Sequence, residues 1–429
     1  MSMRYWLAAL LLTGILKAGT ATLYVDDLVK MAIEHSPDID SSRLDFKAAQ
    51  QRAKGAEGFY LPNVNLSGTG GKQRTKFTQQ SVENINLLSG TLGASQLLYD
   101  FGKTSGLVGS SREEVLALEA QMQQTISDKI YYVKKIYYDI LKTKSIIEVQ
   151  KKNVSLQKQQ LNRARRYLAS GIKTIIDVTD AEVRLEQARL DLKNARYQLE
   201  IQRAQLEAEI GFVPYNGDYV LYARKLPLPH LSSKLPQVRS SLSYFEQYAY
   251  EHRYVLESSK HYVQGAKAHV KSLEGDYYPT ISVGADYTKQ HADDEVTALM
   301  PTDQGKVAVQ MNWNLFSGYQ TDAQVEEAKV GVLKAATQVQ SVKLAVRNQV
   351  TESYIAIRRA KENVKLSESI ALASQKKLRQ AQKRYENELS DFVELQEAQQ
   401  GYIRSLSELV NSYYDYFIAM AQLDHAVGQ

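Results

Sequence analysis

Cysteine is absent from this 429-residue chain. Disulfides, thiol nucleophiles and thiolate metal sites are excluded with it, and so is an N-terminal cysteine that carries lipid. Proline numbers only 8 and tryptophan only 2. With so few helix breakers, and with much Gln, Lys, Glu and Ala, the composition favours long helices. No sign of charge dominates: 53 Lys and Arg stand against 48 Asp and Glu, which is not the footprint of a nucleic-acid binder. Past the N-terminus no run of about 18 apolar residues occurs, so no transmembrane helix is predicted. The seven histidines show no metal-ligand spacing; His252 and His261, for example, stand about two and a half turns apart. No nucleophile and base stand in a catalytic arrangement, so no catalytic residue, cofactor or metal is expected.

The N-terminus predicts a secretory signal over residues 1–21. Arg4 gives the positive start, Tyr5 to Leu16 a short apolar stretch, and Ala18-Gly19-Thr20-Ala21 the small residues of a cleavage site. An exported chain without a spanning helix is either soluble or crosses a membrane as a β-barrel.

What the chain does contain is a copy of itself, displaced by 217 residues. Ala32-Ile33-Glu34-His35 returns as Ala249-Tyr250-Glu251-His252. Gly58, Tyr60 and Pro62 return as Gly275, Tyr277 and Pro279, and Asp177, Asp180 and Ala181 as Glu394, Glu397 and Ala398. A period that long is no solenoid of short repeats. The expected organisation is a first repeat over 22–211, a connector rich in Pro214, Pro227, Pro229 and Pro236 over 212–243, and a second repeat over 244–429.

Each repeat reads as helix, two strands, long helix, break, helix. The first helix runs from about Val25 to Phe59 with a break at Pro37, and Pro62 closes it. Asn63 to Ser67 and Thr280 to Tyr287 alternate with period two, Val64 and Leu66 matching Ile281 and Val283. The fourth strand carries Val307, Val309, Met311, Trp313 and Leu315 on one face. Its partner is Gly90 to Leu98, with Gln96 where the copy has Trp313. Polar loops over about Lys76 to Asn86 and His291 to Asp303 link the strands. Aromatic residues gather at the strand ends near the helices: Tyr60, Tyr99, Tyr277, Tyr278, Trp313 and Phe316. Such a cluster fits the interfacial girdle of a membrane barrel. Four strands cannot close a barrel alone. The sheet is therefore either a small soluble one or part of a barrel shared between chains.

Long helices follow, from about Thr104 to Tyr167 and from Gln320 to Tyr385, each roughly 95 Å at 1.5 Å per residue. After the break, Ala181, Leu185, Ala188, Leu192, Ala195 and Leu199 are spaced by fours and threes, as in a coiled-coil seam. The copy carries Ala398, Tyr402, Ser405, Leu409, Ser412 and Tyr416. The first break reads Ser170-Gly171-Ile172-Lys173-Thr174. The second, Glu386-Asn387-Glu388-Leu389-Ser390, reads as a turn one residue shorter. Gly102-Lys103-Thr104 imitates the end of a phosphate-binding loop, but Leu97 stands where that loop needs glycine.

Taken in order, these duplicated elements resemble the TolC-like outer-membrane efflux proteins, over essentially the whole mature chain. Four matched elements carry the resemblance: the opening helix from Leu23 to Pro37, the Tyr-x-Pro start of each sheet segment, Leu98-Tyr99-Asp100-Phe101-Gly102 with its copy Leu315-Phe316-Ser317-Gly318, and the break from Arg166 to Ala181. The resemblance implies a mostly α fold with a small β part, built from duplicated long α-hairpins. Three chains would form an α-barrel in the periplasm and give four strands each to one 12-stranded barrel in outer-membrane lipid. The implied role is the exit duct of a tripartite pump or a type I secretion system, not an enzyme. Its partners would be a periplasmic adaptor and, through it, an inner-membrane transporter.

At the narrow periplasmic end the resemblance places Asp177, Asp180, Glu394 and Glu397 as rings of like charge, and Tyr385 as a tie of the closed state. Spacing of three puts each acidic pair on one helix face. The resemblance makes the turns adaptor contacts, with Gly171, Ile172, Leu389 and Ser390 as candidates. The competing expectation is a periplasmic coiled-coil tether without a pore, against which the alternating strands argue. A secreted enzyme has no positive support.

Overall fold

The computed structural model describes residues 21–75, 83–172, 174–223, 226–292, 302–387 and 389–429. The signal expected over 1–21 thus lies, but for Ala21, outside the described residues, as do 76–82 and 293–301 of the polar loops. The elements run β1 (Ala21–Leu23), α1 (Val25–His35), α2 (Pro37–Glu57), β2 (Asn63–Thr75), β3 (Glu83–Tyr99), α3 (Lys103–Ala169) and α4 (Ile175–Ile210). After β4 (Tyr219–Leu221) come α5 (Leu242–His252), α6 (Tyr254–Glu274), β5 (Thr280–Ala292), β6 (Asp303–Asn312), α7 (Gln320–Glu386) and α8 (Phe392–Val427). Every helix of the first series has a counterpart of equal length in the second: α3 and α7 hold 67 residues each, α4 and α8 36 each.

The chain forms two compact units, and each draws on both halves of the sequence. One comprises residues 38–127, 240–352 and 426–429. Its sheet is antiparallel in the order β2-β3-β5-β6. Val64 lies opposite Ala94, Ala94 opposite Ala285, and Ala285 opposite Val307. Because opposed residues share a face, Val64, Leu66, Leu92, Val283, Val309 and Met311 form one apolar surface. Asn65, Asp286, Ser282 and Gln310 fall on the other. Among the described residues no element of this unit covers the apolar side: Val64, Leu66, Val307, Val309 and Met311 are between 66% and 80% exposed. The strand limits differ from expectation at two places. β3 begins earlier, at Glu83, and β6 ends at Asn312, so Trp313 and Leu315 stand past the ladder. Trp313 leaves it with a purpose: its indole Nε1 donates to the Tyr277 carbonyl, as the Gln96 amide donates to the Tyr60 carbonyl in the first repeat.

Below the sheet, the start of α3 lies against α6. Gly106 permits the approach, since a Cβ there would overlap the Ser272 backbone nitrogen and stand 2.7 Å from the Ala268 carbonyl oxygen. Ser272 Oγ donates to the Lys103 carbonyl, Lys103 pairs with Asp276 at 2.5 Å, and His261 meets Glu113 at 2.7 Å. α5 and α6 are separated at Arg253, in extended backbone. Pro37 stands at the break between α1 and α2, yet the second repeat breaks at the same place, before Tyr254, without proline. A buried arginine whose guanidinium donates to Gln349 holds the break there.

The other unit comprises residues 1–37, 128–239 and 353–425. Here α8 is buried along its seam: Ala398, Tyr402, Ser405, Leu409, Ser412 and Tyr416 are all 6% exposed or less. The seam of α4 is closed only through Ala181, Leu185 and Ala188, and Leu192, Ala195 and Leu199 are half-exposed. α3 and α8 run antiparallel, tied by Lys142 to Asp415, Ser145 to Tyr414 and Lys152 to the Tyr402 hydroxyl. The connector holds more order than its prolines suggested: β4 pairs in parallel with β1, and the Tyr137 hydroxyl donates to the Tyr222 carbonyl at 2.8 Å. Burial, reinforced by Tyr138, pushes the Tyr137 hydroxyl up to about 12, so it remains a donor.

Candidate functional site

The two helix breaks lie in this second unit. They are equal in length, five residues each, between Ala169 and Ile175 and between Glu386 and Phe392. The expected shortening of the second turn is thus absent; the 217-residue register runs straight through it. Both turns close in the same way. Ile172 N–H donates to the Tyr167 carbonyl at 2.9 Å, and Leu389 N–H to the Arg384 carbonyl at 2.8 Å. This is the bond that ends a helix in a Schellman turn. In the first turn the left-handed position is Gly171, with φ +71°, as such a turn requires. Ile172 is 60% exposed and Leu389 68%. Both are large apolar side chains at the tips of the turns. Ser390 is half-buried.

The four acids differ in their surroundings. Asp177 caps α4: its carboxylate accepts from the Thr174 backbone N–H and hydroxyl, each at 2.9 Å. In the second repeat the cap position of Thr174 is held by Asp391, whose carboxylate accepts from the Glu394 backbone N–H at 2.8 Å. Glu394, the counterpart of Asp177, stands 3.5 Å from Arg384. Asp180 and Glu397, one helical step further on, are exposed. Asp180 borders a cavity of about 710 Å³ together with Arg184 and Asp191 of α4, Gln157 of α3 and Arg404 of α8. Arg384 and Arg404 are residues that the sequence did not single out. No periodicity marks them, since a basic residue on a long helix reads as solvated surface.

Tyr385 is 8% exposed and lies between the two hairpin ends. Its ring is 6.4 Å from Tyr167 and 6.1 Å from Phe392, with the Arg163 guanidinium 5.9 Å above it. Burial, then the Tyr167 and Asp177 charges, raise the Tyr385 hydroxyl above its ordinary range, while Arg163 opposes them. The ring is packed and its hydroxyl neutral at physiological pH. Beside it, Leu161, Ala164, Val178, Ala181 and Leu185 form a small core that Phe392 covers in part.

Above this core the interior turns polar. Gln396 and Gln399 of α8 are fully buried, and neither end of either amide has a partner; the amide oxygens of Gln157 and Gln160 on α3 are in the same condition. A lone Gln at helical spacing gave no signal of this burial.

In the sheet unit, Tyr60, Tyr99, Tyr277, Tyr278, Trp313 and Phe316 are all 41% exposed or more. Phe101 stacks on Tyr278 and meets Tyr99 edge-on, which adds it to the group. Among the described residues no helix is long and apolar enough to cross a membrane, and no group of three His, Asp or Glu could hold a metal.

The family described as outer membrane efflux protein matches residues 28–211 and 247–429. The chain is 24% identical to the outer membrane efflux protein BepC of Brucella suis biovar 1 (strain 1330), over 98% of this chain and 89% of that one. Its fold is similar to that of the outer membrane protein VceC of Vibrio cholerae, with a TM-score of 0.81 and 17% identity over 94% of this chain and 96% of that one. The outer membrane channel CmeC of Campylobacter jejuni gives a TM-score of 0.80 and 15% identity over 94% and 85%.

Proposed function

This chain belongs to the outer membrane efflux protein family, and from that premise we propose that it is the exit duct of a tripartite efflux pump or type I secretion system. Its place is the outer membrane, and its work is that of a channel rather than an enzyme. Three copies form the duct. Each gives β2, β3, β5 and β6 to a shared 12-stranded barrel, and the long helices wall a tunnel through the periplasm. A periplasmic adaptor docks on the turn residues Gly171, Ile172, Leu389 and Ser390 and links the duct to an inner-membrane transporter, which supplies the energy.

One observation carries this reading: a four-stranded sheet whose aliphatic face has no cover among the described residues of its own unit and whose opposite face is polar. In water such a face would be a liability. In a barrel it meets lipid while the polar side lines the passage. The girdle of Tyr60, Tyr99, Tyr277, Tyr278, Trp313 and Phe316 fits the membrane boundary. We assign the periplasmic aperture to the turns, with Tyr385 packing the closed arrangement. The organisation follows the sequence repeats, 22–211 and 244–429, joined by 212–243 after a signal over 1–21.

At the aperture, Glu394 and Glu397 face threefold copies of themselves and focus cations there. Glu394→Ala with Glu397→Ala should remove six carboxylates per trimer, lower cation preference in single-channel recordings and weaken block by multivalent cations. Stability should change by less than about 0.5 kcal/mol at exposed Glu397, and by no more than about 1 kcal/mol at half-buried Glu394, which loses its pairing with Arg384. Selectivity and block identical to the parent, in a folded trimer, would assign both glutamates to solvated surface. Single-channel recording also separates the duct from the competing tether, which carries no current.

A further inference from the structure

The aliphatic face of the sheet carries charge at one end only, and we infer that this end is a binding surface for the phosphate groups of outer-leaflet lipid. The inference rests on the barrel proposed above, because only there does the face meet lipid. It adds which headgroup chemistry the barrel holds and with which residues.

Strand register sorts the charges. On β2 the face that holds Val64 and Leu66 continues through Gly68 and Gly70 to Lys72 and Arg74. On β5 the same face continues past Val283 and Ala285 to Lys289 and His291. All four basic side chains are exposed. The 217-residue shift takes Lys72 to Lys289 and Arg74 to His291, so both repeats place a basic group at the same two positions. Among the described residues none of the four takes part in an ion pair. One acid shares the face: Asp303, opposite Lys289, whose carboxylate accepts from the Tyr287 hydroxyl at 3.0 Å. At the other end of the face, beside the aromatic girdle, Val64, Ile281 and Met311 are aliphatic, and no charged side chain stands there among the described residues.

The spacing sets the depth of this rim. Asn63 opens β2 beside the girdle, and Lys72 follows nine residues later; Thr280 and Lys289 repeat that interval on β5. Nine residues make about 30 Å of strand. At a tilt of about 35–45° they cross roughly 21–25 Å of membrane, which matches an apolar band about 25 Å tall. The girdle marks one boundary of that band and the basic rim the other. With the helices in the periplasm, the rim lies in the outer leaflet.

A cation at the boundary costs little, about 0–1 kcal/mol, against about 2–4 at the membrane centre. Its aliphatic stem lies along the apolar surface while the head reaches outward. Lys72 and Arg74 point to one face two residues apart, about 7 Å along the strand, so one doubly charged group reaches both. Phosphate suits them, because guanidinium and ammonium groups make short, charge-assisted bonds to its oxygens. Directly beside the rim the surface is bare. Gly68 lies opposite Gly90, and Gly90 opposite Lys289. A Cβ at Gly90 would have nothing within 4 Å. This trough of uncovered backbone seats the acyl chains whose phosphate the cations hold, which a free anion would leave empty. The occupant is therefore a phosphorylated lipid.

The test titrates the purified full-length protein in mild detergent with lipid A, an acylated and phosphorylated disaccharide, and reads thermal unfolding. Binding to the folded state should raise the midpoint, and added salt should shrink the rise. Lipid A stripped of its phosphates should leave the midpoint unmoved, as should inorganic phosphate at the same concentration. Lys72→Gln with Arg74→Gln and Lys289→Gln should need about tenfold or more lipid A for half the effect. Lys72→Arg with Lys289→Arg should match the parent. An equal rise with the stripped lipid or with inorganic phosphate, or a triple variant that binds as tightly as the parent, overturns the headgroup site and leaves the duct standing. Should the triple variant fail to fold, the two lipids on the parent protein still decide. Protein that never reaches outer-membrane fractions and carries no current overturns the barrel as well.

Discussion

Gly106→Val should loosen the contact of α3 with α6 and cost about 3 kcal/mol, the upper part of the range for overpacking a tight site. The substitution is not severe by helix propensity alone, because valine suits an α-helix better than glycine does. The cost is steric: any Cβ at this position meets the backbone of Ser272 and Ala268, and backbone cannot turn aside as a side chain can. Denaturant unfolding of the detergent-extracted protein, read by far-ultraviolet circular dichroism, measures the loss. Gly401→Ala supplies the contrast. Nothing lies within 4 Å of a Cβ there, so the same kind of change should be neutral or should stabilise by up to about 1 kcal/mol. Equal midpoints for Gly106→Val and the parent would mean that α3 and α6 do not touch in the folded protein.

The second large effect belongs to the sheet. Val309→Lys puts a charge on the apolar face and should oppose insertion by about 2–4 kcal/mol near the membrane centre. Outer-membrane fractions should be depleted of this variant. Gln310→Lys, one residue away on the polar face, should insert at parental levels, because it faces the passage. β6 is 10 residues long, about the length of one barrel crossing. A pair of variants that behave alike, both inserted or both lost, would contradict the assignment of lipid and water to the two faces.

Much of this fold was legible in the sequence because it is written twice. Weak alternation over Asn63 to Ser67 became convincing once Thr280 to Tyr287 repeated it, and the ends of α3 and α7 fell within two residues of expectation. Other features resist sequence reading for physical reasons. Proline announces the break at Pro37, but Arg253 makes the same break through burial and a bond to Gln349, which no local pattern encodes. The pairing of β1 with β4 is short and distant in sequence. At the turns, the acids were legible as an ordered pair of pairs. That Asp177 bonds back to its cap residue Thr174, while at the second break the cap residue is itself an acid, Asp391, and Glu394 stands near Arg384, depends on which residue sits at the cap itself. The burial of Gln157, Gln160, Gln396 and Gln399 was illegible, because a polar residue betrays its burial only when the neighbouring helix is known.

The most direct test of the account is a planar-bilayer recording from the purified, detergent-extracted particle at neutral pH. If three chains make a continuous passage, addition to one side should produce discrete, uniform current steps with a preference for cations, and each step should require an intact trimer. Folded trimers that insert into the bilayer and carry no current at any applied voltage would contradict the account, and would make the chain a tether rather than a duct.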